Sequence, residues 1–203
     1  MRIALLFGIT LLIAMKAPWF SFDWGWFSAE ITGQAMVLLA GGLFLIYKST
    51  KEIHEKVDHK GHEEASMKST ATKSFGNVIF QILLIDLIFS VDSILTAVGM
   101  TNGVEGALYI MITAVIISVL VMLIFAVPVG NFVNANPSIQ ILGLAFLILI
   151  GFMLITESMH LSDATLVGEK VGTVPKGYLY FAIAFSLVVE MLNMRMNKKK
   201  LQS

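Results

Sequence analysis

The sequence predicts an all-α, polytopic membrane protein with about six transmembrane helices. Two observations point there. Charged residues make up 14% of the chain against 57% hydrophobic residues, and the mean hydropathy is +0.82. The charges are also missing from whole windows: residues 107–127 and 139–156 contain none. Windows of this size match the ~20 apolar residues needed to cross the hydrocarbon core of a bilayer. Only helices and closed barrels span bilayers, and these runs are too long and unbroken for barrel strands.

Six embedded segments follow in order, at 1–15, 34–47, 78–98, 107–127, 139–158 and 177–194. The first two are short for a span. Between them Pro18-Trp19-Phe20, Trp24, Trp26 and Phe27 read as an aromatic belt at the membrane–water interface. After the second segment, residues 48–77 form the one real linker, polar and mixed in charge. Its cluster of His54, Asp58, His59, His62, Glu63 and Glu64 contains metal-ligand residue types. Lys56 and Lys60 interrupt the set, and a solvated linker accounts for it without any ligand. The chain divides accordingly into 1–47, a truncated first repeat; 48–77, a cytoplasmic linker; 78–158, a second repeat; and 159–203, a final helix with a basic tail.

Orientation is read from Lys and Arg, which are enriched in cytoplasmic loops. With the linker inside, 11 of the 14 basic residues share its side, and only Lys16, Lys170 and Lys176 face outward. Both termini are therefore expected in the cytoplasm and the protein in the plasma membrane. The absence of cysteine removes disulfides, thiolate metal sites and thiol catalysis. Met1–Met15 lacks the long basic start and small-residue cleavage site of a signal peptide. No basic, aromatic-studded surface points to nucleic acid. No nucleophile with a base and an orienting group stands out, so neither an enzymatic role nor a prosthetic group is expected.

Two internal matches suggest an inverted repeat. Ala4-Leu5-Leu6-Phe7 aligns with Met122-Leu123-Ile124-Phe125 at an offset of 118, and Leu43–His54 aligns with Leu149–His160 at 106. Inverted halves of three helices are common in transporters. In the second copy, the acid-bearing helix precedes Met122, so its counterpart would precede Met1. The chain is thus expected to be the remnant of a 3+3 repeat plus one extra helix, without the first helix.

The acids in question lie in the third segment, within Ile85–Ile94, "IDLIFSVDSI". A carboxylate in hydrocarbon costs roughly 2.5–3.5 kcal/mol on insertion scales, so Asp86 and Asp92 should face protein, water or an ion. At ~100° per residue, Asp86, Ser90 and Ser93 fall within about 60° of one another, while Asp92 lies about 120° round, beside Gln81. Either each acid builds a separate station on a path, or the helix unwinds near Ser90-Val91 and both meet one ion. Oxygen-only ligands suit Mg²⁺, Ca²⁺ or Mn²⁺. Polar groups for a pathway or second shell are Gln81, Ser90, Ser93, Glu157, His160, Glu190 and Asn193.

"DLIFSVDSI" at Asp86–Ile94, "GLFLIYKSTKEIHE" at Gly42–Glu55 and "PKGYLYFAIAFSLVVEMLNMR" at Pro175–Arg195 together resemble the TerC family of membrane proteins. The likeness covers nearly the whole chain. It implies divalent-metal handling, with manganese export, tellurium resistance and metalation of secreted enzymes as proposed roles, and it carries Asp86 and Asp92 over as metal ligands. Family members usually have seven helices, the first with its own acidic motif, which this chain lacks. The expected function is export of a divalent cation, most simply Mn²⁺, with the bilayer and the metal as partners and a homo-oligomer as one arrangement. The alternative is an accessory membrane protein that works with secretion machinery to metalate or insert exported proteins.

Overall fold

The computed structural model describes residues 17–58, 75–101 and 103–200, without the side chains of residues 75, 77, 78 and 197–200. Five helices dominate: α1 (Gly33–Asp58), α2 (Phe75–Thr101), α3 (Ala107–Ala135), α4 (Pro137–Leu161) and α5 (Lys176–Lys200). Among the described residues, four helical stretches are long and apolar enough to cross a membrane: Ile79–Met100, Ala107–Ala135, Pro137–Leu161 and Lys176–Met196. The helical membrane architecture stands, with four such spans among the described residues against about six expected over the chain. Segment 1–15 lies outside the described residues, and 34–47 is only the apolar part of α1.

The polar linker also begins later than residue 48, because α1 stays helical to Asp58. Its charged turns are tied down from within and from without. Lys48 pairs with Glu52 at 2.9 Å, one turn away, the spacing that supports a helix. Lys56 Nζ donates to Gln140 Oε1 on α4 at 2.7 Å. At the other end, Thr32 Oγ1 accepts the amide of Ala35 at 3.2 Å and caps α1. Pro137 opens α4, where a missing amide costs nothing.

Among the described residues, α1 and α4 form the most extensive contact. They run antiparallel, with Ala35 against Ser158, Gly42 against Gly151 and Lys56 against Gln140. The crossing is reciprocal. A Cβ built on Gly42 would stand 2.6 Å from the Gly151 carbonyl oxygen and 2.8 Å from Ile155 Cγ1. A Cβ on Gly151 would stand 2.8 Å from the Gly42 carbonyl oxygen and 2.8 Å from Ile46 Cγ1. Gly42 and Gly151, like Ile46 and Ile155, are 109 residues apart. The two helices therefore correspond at an offset of 109, three residues from the 106 read from the sequence. Leu45 and Leu154, and Ser49 and Ser158, are buried at equivalent positions. Without a hydrophobic force between helices in lipid, such close backbone approach is what drives association.

α2 lies on this pair through Ile88, Val91 and Ile94, which join Leu38, Leu45 and Leu154 in the core. That three-residue spacing fixes the rotation of α2 about its axis. α3 is sparsely covered: Met111 is its one buried residue, and Pro128 sits inside it.

The aromatic residues expected as a belt stand on a β-hairpin. β1 (Pro18–Asp23) pairs antiparallel with β2 (Phe27–Thr32), and β2 pairs with β3 (Thr165–Leu166), which pairs with β4 (Glu169–Lys170). Trp19, Phe20, Phe22, Trp24 and Trp26 are exposed on it. The sheet joins the entry to α1 with the connection between α4 and α5; the Ser28 and Thr165 hydroxyls meet at 2.6 Å, and the Glu30 amide donates to the Ser162 carbonyl at 2.7 Å. Beside it Lys170 Nζ bonds Asp163 Oδ1 at 2.7 Å. That bond holds the Asp163 carboxyl below the ordinary range and raises Lys170.

β3 and β4 are joined by Val167-Gly168, with φ values of 55° and 83°, the left-handed pair of a type I′ turn. Glycine suits such a position, whereas a β-branched side chain is strained there. Val167→Asn, which places Asn-Gly in the turn, is expected to stabilise the protein by about 1 kcal/mol. An unchanged or lower unfolding temperature would show that Val167 is not strained.

Candidate functional site

α2 is one uninterrupted helix from Phe75 to Thr101. Of the two arrangements open for its acids, the unwound one is therefore not adopted. Asp86 and Asp92 are six residues apart, about 9 Å along the axis, and stand at different depths.

Asp92 is engaged. Lys176, the first residue of α5, donates from Nζ to Oδ1 at 3.0 Å and to Oδ2 at 2.9 Å. The same ammonium donates to Thr96 Oγ1, one turn further along α2. About a quarter of each charged side chain is accessible, 26% for Lys176 and 23% for Asp92. Pairing of this kind answers the cost of a charge in an apolar helix.

Two cavities meet at this pair. The smaller, about 160 Å³, is lined by Asp92, Ser93, Met153, Glu157, Lys176 and Tyr180 among others. The larger, about 470 Å³, is lined by Gln34, Thr96, Glu157, His160, Thr173 and Lys176 among others. Glu157 and Lys176 belong to both. Glu157 is half-buried and makes no hydrogen bond or ion pair among the described residues. His160 is exposed, with Nδ1 3.3 Å from the Val171 carbonyl oxygen.

The remaining expected residues are dispersed. Asp86 is half-buried and lines neither cavity; its carbonyl accepts the Ser90 hydroxyl at 2.6 Å. The Ser93 hydroxyl likewise turns back to the Phe89 carbonyl at 2.8 Å. Both hydroxyl protons are thus spent on the helix's own backbone. Gln81 lines a different cavity, about 600 Å³, with Lys48, Glu52 and Gln140, roughly 16 Å along α2 from Asp92. Glu190 lies about 21 Å along α5 from Lys176, and neither it nor Asn193 lines the Asp92 cavities. Of the linker cluster, His54 and Asp58 are on α1, while His59, His62, Glu63 and Glu64 lie outside the described residues. Among the described residues, no three His, Asp or Glu side chains converge as a metal-binding group.

The arrangement is thus two carboxylates, Asp92 and Glu157, at one cavity with the Lys176 ammonium, and the Thr96 hydroxyl at the adjoining one. Sequence reading missed Lys176 and Thr96. Thr96 was recoverable as the residue one turn from Asp92 on the same face. Lys176 looked like a flanking charge and served only to set orientation.

A family model described as "Integral membrane protein TerC family" matches residues 1–202. The chain is 45% identical over 199 residues to the UPF0053 inner membrane protein YgdQ of Escherichia coli (strain K12), covering 98% of this chain and 74% of that protein. It is 43% identical over 197 residues to a UPF0053 protein of Haemophilus influenzae, covering 97% and 74%. The UPF0053 inner membrane protein YoaE of Escherichia coli (strain K12) is 36% identical over 193 residues, which cover 95% of this chain and 33% of that longer protein. No solved structure matches the chain.

Proposed function

The chain belongs to the TerC family of integral membrane proteins, and from that premise we propose that it is a transporter exporting a divalent metal cation, most simply Mn²⁺. The observation that carries the reading is Asp92, a carboxylate within a membrane-length helix, facing a cavity that Glu157 also lines. A hard cation that keeps part of its water shell needs only one or two carboxylates. Asp86, about 9 Å away along α2, supplies a second station on the same route. The inner-membrane names of the relatives support a plasma-membrane location. The predominance of basic residues on the linker side favours cytoplasmic termini.

The test is metal content. Cells loaded with Mn²⁺ are expected to hold less of it when they express the protein. Asp86→Asn and Asp92→Asn, inserted at normal levels, are each expected to abolish that difference. Export that persists in both variants would remove the carboxylates from the mechanism. Proteoliposomes without metal flux, with co-purification of secretion machinery, would instead favour an accessory role in metalation or insertion of exported proteins.

A further inference from the structure

The ammonium of Lys176 already stands where a substrate cation would bind. Its three N–H groups meet three acceptors, the two oxygens of Asp92 and the Thr96 hydroxyl, which completes the capacity of a lysine. It does so from the first residue of α5, where the helix dipole disfavours positive charge. The pairing is therefore owed to Asp92 and not to the helix end. Lys176 and Glu157 each line both cavities, and Glu157 has no partner among the described residues.

We propose that Lys176 is a tethered competitor for the cation site. In the substrate-free protein its ammonium fills the Asp92 station. A divalent cation displaces it into the larger cavity and is held by Asp92 and Glu157, with the Thr96 hydroxyl and water completing its shell. Charge then selects the substrate. Two carboxylates and one ammonium leave one net negative charge, and a monovalent cation in place of the ammonium leaves the same. Only a divalent cation neutralises the pair. The tethered lysine thus discriminates against Na⁺ and K⁺, because a monovalent ion gains nothing by the exchange. This inference rests on the transporter reading and refines it.

The full chain in lipid nanodiscs, titrated with manganese chloride and followed by the electron paramagnetic resonance of free Mn²⁺, provides the test. Lys176→Met and Lys176→Gln are expected to tighten Mn²⁺ binding about tenfold, Lys176→Arg to leave it weak, and Asp92→Asn to abolish it. In the unsubstituted protein, Mn²⁺ should also speed acylation of the Lys176 amine, read by mass spectrometry. That readout holds even where a variant does not fold. Asp92-dependent binding that neither neutral variant tightens, or an amine whose reactivity ignores Mn²⁺, overturns the competitor and leaves the transporter reading in place. Absence of any Asp92-dependent Mn²⁺ binding overturns both.

Discussion

Gly42→Val is expected to drive α1 off α4 and to destabilise the protein by about 3 kcal/mol, the upper part of the overpacking range. Even the first carbon of the new side chain would lie 2.6 Å from the Gly151 carbonyl oxygen and 3.3 Å from the Ile155 amide nitrogen. Both are backbone atoms and cannot rotate aside, so the helices must separate. Gly151→Val meets the mirror-image obstacles at Gly42 and Ile46 and should cost about the same. Gly41→Ala is a milder case, since its Cβ would meet only the side chain of Ile88, at 2.8 Å and beyond. Gly143→Ala, with nothing within 4 Å, is the control. Unfolding in a denaturing-detergent titration ranks the four. Equal stability of Gly42→Val and Gly143→Ala would show that the glycine crossing does not hold the two helices together.

Asp92→Asn is expected to be the second costly change, and for a reason separate from metal binding. It leaves the Lys176 ammonium facing a neutral amide, without the carboxylate that now accepts two of its hydrogen bonds. Breaking one side of a fully buried pair costs about 3–5 kcal/mol. Both side chains here are about one-quarter accessible, so a loss of roughly 2 kcal/mol is expected. Removing the other partner as well, in Asp92→Asn with Lys176→Met, should restore most of the loss, because no unpaired charge remains. Thermal unfolding in metal-free buffer measures both. If the double variant is no more stable than Asp92→Asn alone, the ion pair is not what stabilises this contact.

The parts of this fold that were legible in the sequence are those set by transfer free energy. Charge-free windows mark α3 and α4, and the anomaly of Asp86 and Asp92 inside an apolar run marks the candidate site. Angular spacing already separated the two acids on a straight helix, and α2 is straight in the sense that mattered: its hydrogen-bond ladder is unbroken at Ser90-Val91. What escaped depends on partners distant in the chain. The strands that carry Trp19 and its neighbours were missed: their hairpin is local, but the sheet it belongs to is completed by Thr165, 137 positions from Ser28. Lys176 is 84 positions from Asp92, and no local pattern distinguishes a lysine that reaches inward from one that flanks a span. The helical Lys48–Asp58 turns were missed because polar residues gave no apolar period; an ion pair and a bond to Gln140 hold them instead. The offset of 106 read from the sequence differs by nearly one helical turn from the 109 that separates the contacting glycines, a difference that similar apolar residues conceal.

Pro128 in α3 carries a mechanical consequence. A proline has no amide proton, so the carbonyl of Ile124, one turn earlier, receives no backbone bond from it. Flexing α3 at that level breaks nothing that was formed. Little side-chain packing resists the motion, since Met111, far toward the other end, is the helix's one buried residue. α1 and α4 are clamped backbone to backbone and form the rigid frame. α3 is a compliant strut attached to it, and bending of that helix at low elastic cost will be concentrated at Ile124–Pro128.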